Sequence, residues 1–107
     1  MQEFGLNTLK SRKATALELE IAREKATALG AAGKKLEASL ALYSRTCRAN
    51  SPTRDLDRIA EEIAANISAL IVQRELVGLV HENLNWALMS YEIPVAALRR
   101  LGVKTHG

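Results

Sequence analysis

An all-α fold, a long antiparallel helical hairpin plus a short C-terminal helix, is the architecture this sequence predicts, and three observations carry that reading. Hydrophobic residues recur in alternating steps of three and four along two long stretches. A single break at Ser51-Pro52 separates them. Aromatic residues make up only 4% of the chain while Ala, Leu and Glu abound, a balance that favours helix over strand.

The first helix is expected over about residues 14–49. Its seam reads Leu19, Ala22, Ala26, Leu29, Gly33, Leu36, Leu40, Tyr43 and Cys47, a heptad-type stripe. Thr15 followed by Glu18 is a candidate capping box at its start, although Asn7 or Ser11 could start it earlier. Gly30 and Gly33 each cost a helix interior about 0.8–1 kcal/mol relative to Ala, yet the seam keeps its phase across them. One continuous helix with a thinned or bent waist is therefore preferred to the rival, a helix–break–helix arrangement.

The stripe stops at Arg48-Ala49-Asn50-Ser51-Pro52-Thr53, where Asn and Ser favour turns and Pro suits the first position of a new helix. A turn over about 50–53 follows. From Leu56 the stepping resumes through Ala60, Ile63, Ile67, Leu70, Arg74, Val77, His81, Leu84, Leu88 and Tyr91, which predicts a second helix over about 54–91. Pro94 ends it, because the residue before a proline is driven out of the helical region. A short helix over about 94–101 completes the chain, with Val95, Leu98 and Leu101 on one side and Gly102 beyond its end.

At 107 residues this is at most a single helical domain, 1–107, near the size at which one core is only modestly stabilising. Matching the two seams about the turn sets Gly33 against Leu70, Ala26 against Val77 and Ala22 against His81, small against large, as close helix packing requires. The second helix also carries Ile59, Ile71, Val72, Leu76, Leu79, Val80 and Ala87 off its seam. Left exposed, they form a patch larger than soluble monomers usually tolerate. A homodimer is the simplest cover, two hairpins forming a four-helix bundle with the second helices central.

Arg74 and His81 then lie at or beside that core, one heptad apart. Buried charge is costly unless paired, so both are read as residues that fix register and dimer orientation, with Glu75, Glu82, Glu24 or Glu20 as the carboxylate answering Arg74. Together with Ile71, Val72, Leu76 and Val80 they are the interface candidates.

Chemical sites find little support. A di-iron bundle needs Glu-x-x-His spacing, but Gly78 stands three residues before His81 and Val103 three before His106. His81, His106 and Cys47 have no zinc-ligand spacing. Gly30-Ala31-Ala32-Gly33 followed by Lys34-Lys35 lacks the spacing of a phosphate loop. No catalysis, cofactor or metal is expected. Cys47, the one cysteine, reads as a small buried hydrophobe.

The net charge of +3 sits at the two ends. Lys10, Arg12 and Lys13 near the start, and Arg99, Arg100 and Lys104 near the end, could gather at the open end of the hairpin as an anion-binding patch, although basic ends are more often merely solvated. No 18-residue apolar run is present, so no membrane span is expected, and a cytoplasmic location is the default without a secretory apolar block. The chain is read as a non-catalytic homo-oligomer serving protein–protein assembly or regulation. The alternative is a small nucleic-acid-associated protein using the basic end.

Overall fold

Four helices appear in the computed structural model, which describes residues 4–104, with side chains from Thr15 onward. They are α1 (Phe4–Arg48), α2 (Thr53–Leu76), α3 (Asn83–Ser90) and α4 (Val95–Arg100). Among the described residues the fold is all-helical, and its two long helices pack against each other. The side chains of Lys10, Arg12 and Lys13, and His106 entirely, lie outside the described residues.

Helix α1 runs unbroken through Gly30 and Gly33 and begins about ten residues before the expected start. Its 45 residues, at about 1.5 Å each, account for the longest dimension of the molecule, 68 Å. The helix ends in a Schellman closure: the Ser51 N–H donates to the Thr46 carbonyl at 3.3 Å and the Asn50 N–H to the Cys47 carbonyl at 3.2 Å. Asn50 takes the left-handed conformation this requires, at φ 54°, and Asn tolerates it better than most residues. Pro52 follows with φ −57°, preset for a helix start, and Asp55 in the first turn of α2 opposes the helix dipole.

The second helix does not run to residue 91. It stops at Leu76, and the cause is Gly78, whose φ of 95° admits a second Schellman closure. There the Leu79 N–H donates to the Arg74 carbonyl at 2.9 Å and the Gly78 N–H to the Glu75 carbonyl at 3.0 Å. After six intervening residues α3 begins behind Glu82, itself left-handed at φ 51°. The seam phase is continuous across this break, so hydrophobic periodicity alone carries no sign of it. A third closure of the same kind, at Gly102 (φ 77°), ends α4 as expected, with the Val103 N–H on the Leu98 carbonyl at 3.0 Å.

The break reverses the chain. Helix α4 returns along α2, which is thereby packed against α1 on one side and α4 on another. Leu36 from α1, Ile59, Ala60, Ile63, Ile67 and Leu70 from α2, Ala87 from α3 and Ala97 from α4 form one buried cluster. Fully burying Leu36, Ile59, Ile63 and Ile67 contributes roughly 6–12 kcal/mol before conformational entropy is counted.

One polar group crosses this core. The buried Asn66 side-chain amide donates to the Ser39 hydroxyl at 3.1 Å and the Lys35 carbonyl at 3.4 Å, and the Ser39 hydroxyl donates to the Leu36 carbonyl at 2.8 Å. Matched seams place position 66 opposite 37, and Lys35 and Ser39 straddle that position. The phase of the pairing is therefore the expected one where α2 exists.

Beyond the end of α2 the seam has no partner among the described residues. Leu19, Ala22 and Ala26 are exposed on α1, and so are Val77, His81 and Leu84 on the other side of the break. Cys47 is exposed as well, contrary to its reading as a core residue. Nor is Gly33 a close-contact site, since a methyl group built on it meets nothing within 4 Å.

Candidate functional site

Arg74 occupies the last turn of α2 and organises the break that follows. Its Nε donates to Asn83 Oδ1 at 2.7 Å, and Asn83 Nδ2 in turn donates to the Leu79 carbonyl at 2.6 Å. The guanidinium carbon lies 3.5 Å from the centroid of the Trp86 ring, a cation–π contact. Trp86 meets Tyr91 edge-on, with centroids 5.9 Å apart and planes at 88°. Arg74 thus clamps the last turn of α2 to the first turn of α3, and its partners are an amide and an indole in place of the expected carboxylate. Arg suits this role because its planar group bonds at the edge while stacking on its face.

His81 is exposed in the connection and makes no part of the core. The reason is the same break, which removes the helix that carried it toward α1. Of the other interface candidates, Ile71 is half-buried against the core, whereas Val72, Leu76 and Val80 are exposed. The polar pair that does cross the core, Asn66 with Ser39, was not anticipated. Its signal was readable: Asn66 falls in the step Ile59, Ile63, Asn66, Leu70, where a polar residue on a buried stripe demands a partner.

Where α2 ends, α1 continues, and the step between them forms an open cleft of about 630 Å³. Its α1 wall is Glu18, Ile21, Ala22, Lys25, Ala26 and Leu29, one helix face at three- and four-residue spacing, and Leu76 and Val77 close its end. Large apolar side chains stand exposed along it, with Ile21 at 42%, Leu76 at 51% and Val77 at 37% of their free surface. This is the same face of α1 that carries Leu36 and Leu40 into α2 further along. It is uncovered only because α2 has stopped.

The charged groups divide differently from the sequence expectation. Arg100 lies 3.9 Å from Asp57, beside the interhelical turn, whereas Lys10, Arg12 and Lys13 lie on α1 at positions roughly 50 Å away along the helix. The return of α3 and α4 along α2 carried the C-terminal cations to the opposite end, so the two basic groups do not gather. Instead Arg99 and Arg100 join Arg45 and Arg48 at the end of α1 and Arg54 and Arg58 at the start of α2, all exposed. At this end, too, burial pushes the Tyr43 phenol above its ordinary 10.0, with Cys47 and Asp57 adding to the shift and Arg100 opposing it. A second open groove of about 830 Å³ runs past Tyr43 and Cys47 toward Tyr91 and Pro94.

No group of three or more His, Cys, Asp or Glu side chains with metal-binding geometry occurs among the described residues. No described helix is long and apolar enough to cross a membrane. Comparison with protein-family models, curated proteins and solved structures gives no match. The functional reading rests on the geometry above.

Proposed function

We propose that this chain is a non-catalytic helical homo-oligomer serving protein–protein assembly or regulation. The observation that carries the reading is the uncovered apolar step at the end of α2, where Ile21 of α1, Leu76 of α2 and Val77 just beyond it stand exposed together. Exposed apolar surface of that kind marks a contact site in soluble proteins. The form proposed is a two-fold dimer of antiparallel α1–α2 hairpins, four long helices in all. Its contact is carried by α1 and the end of α2, because the outer face of α2 bears Arg58, Glu61 and Glu62, which make a poor bundle core. A cytoplasmic location fits an exposed free thiol at Cys47, which an oxidising compartment would convert to intermolecular disulfide.

Light scattering coupled to size exclusion tests this reading, with a dimer expected at micromolar concentration and a monomer across that range overturning it. A second reading, association with nucleic acid, gains support from the six arginines clustered about the turn, since guanidinium groups favour phosphate. It predicts salt-sensitive retention on heparin that is lost when Arg99, Arg100 and Lys104 become Ala. Absence of retention at low salt removes it.

A further inference from the structure

We infer that the partner of the exposed α1 face is the same face of a second copy, crossing it antiparallel about a two-fold axis between Ile21 and Ala22; this rests on the homo-oligomer reading. The face is complementary to itself when reversed. An axis at that point sets Glu18 opposite Lys25 of the second copy, twice per dimer, and Ile21 opposite Ala22, large against small. Leu17, at the flank, falls opposite Ala26. All but Leu17 line the cleft.

The opposite direction fails on charge. In a parallel pair with a common register Glu18 meets Glu18 and Lys25 meets Lys25, which places like charges in contact. Reversal converts both repulsions into attractions, so the charge pattern selects direction as well as partner. The size pattern agrees, because Ala22 and Ala26 let the two backbones approach closely at the crossing.

The helices cross at an angle and do not lie side by side. From Leu29 onward the same face of α1 is occupied by α2, so a fully aligned second helix would meet the partner's Leu76 end-on. A crossing near the −50° class common in globular proteins carries the residues before about position 14 sideways, clear of the partner's α2. The contact then spans Leu17 to Ala26, and Leu29, Leu76 and Val77 border it. A long solvated helix segment without tertiary contacts is marginal in water, and this crossing supplies the contacts that α2 does not.

The test is a charge-reversal set, Glu18→Lys, Lys25→Glu and the double variant, followed by analytical ultracentrifugation, with circular dichroism to show that each retains wild-type helicity. Both sites lie outside the buried cluster, so folding is expected to persist. Each single reversal turns two attractive pairs into repulsive ones and is expected to raise the dimer Kd by about tenfold. The double variant restores the wild-type value, and mixing the two single variants yields heterodimers. A wild-type dimer whose Kd is indifferent to both single reversals overturns the crossing while leaving the homo-oligomer reading intact. A wild-type chain that stays monomeric into the high micromolar range overturns both.

Discussion

Arg74 shows how one side chain fixes the direction of a chain. The Schellman closure at Gly78 only ends α2; the angle at which α3 leaves is held by the guanidinium between Asn83 and Trp86. Arg74→Ala should therefore destabilise the fold by about 1–3 kcal/mol, through a lost charged hydrogen bond and cation–π contact. Arg74→Lys should recover less than half of that, because an ammonium cannot stack and bond at the edge together. Urea denaturation of the two variants measures this, and equal stability of Lys and Arg at position 74 contradicts it. Tyr43 offers a pH test. A phenol whose folded value is raised contributes stability that is complete below pH 10.0 and is lost as pH rises through the higher folded value. Wild type should therefore lose stability faster than Tyr43→Phe above pH 10, and parallel loss in the two proteins rules out the linkage.

Individual elements differ in how much of their making was legible. The turn at Asn50-Ser51-Pro52 and the stop at Gly102 were readable because their chemistry is local: a residue tolerant of positive φ, followed by a closing N–H. Gly78 belongs to the same class, but it sits in phase with a hydrophobic stripe that continues to Tyr91, and periodicity outweighed it. Gly30 and Gly33 present the opposite case, glycines that a helix simply carries. Neither has a neighbour within 4 Å of an added methyl group, so Gly30→Ala and Gly33→Ala should each raise stability by about 0.8–1 kcal/mol. A loss at position 33 in thermal melts indicates that the backbones approach there after all. Between α1 and α2, Asn66→Ala should cost about 1–3 kcal/mol by removing a buried amide and its bond to Ser39. In a double-mutant cycle with Ser39→Ala the two losses should be coupled, and strict additivity excludes Asn66–Ser39 as a shared register device.

At the scale of the molecule, unequal helix lengths govern the surface. Helix α1 has 45 residues and α2 has 24, so one face of α1 passes from buried to open at Leu29 without any change in its amino-acid pattern. That single mismatch creates the cleft, separates the two basic ends and moves the polar register device from Arg74 and His81 to Asn66 and Ser39. The sequence by itself determined the helical class and the turn near residue 51, and its unbroken stripe favoured a continuous α1 in the observed phase with α2, because these depend on periodicity and on local backbone chemistry. Only the tertiary structure decided where the second helix ends, which cations share an end, and which part of the stripe remains uncovered. A heptad stripe fixes which side of a helix is apolar, but not how far a partner extends along it; that depends on the competition between continuing α2 along α1 and folding α3 and α4 back onto α2, where Ala87 and Ala97 reach full burial.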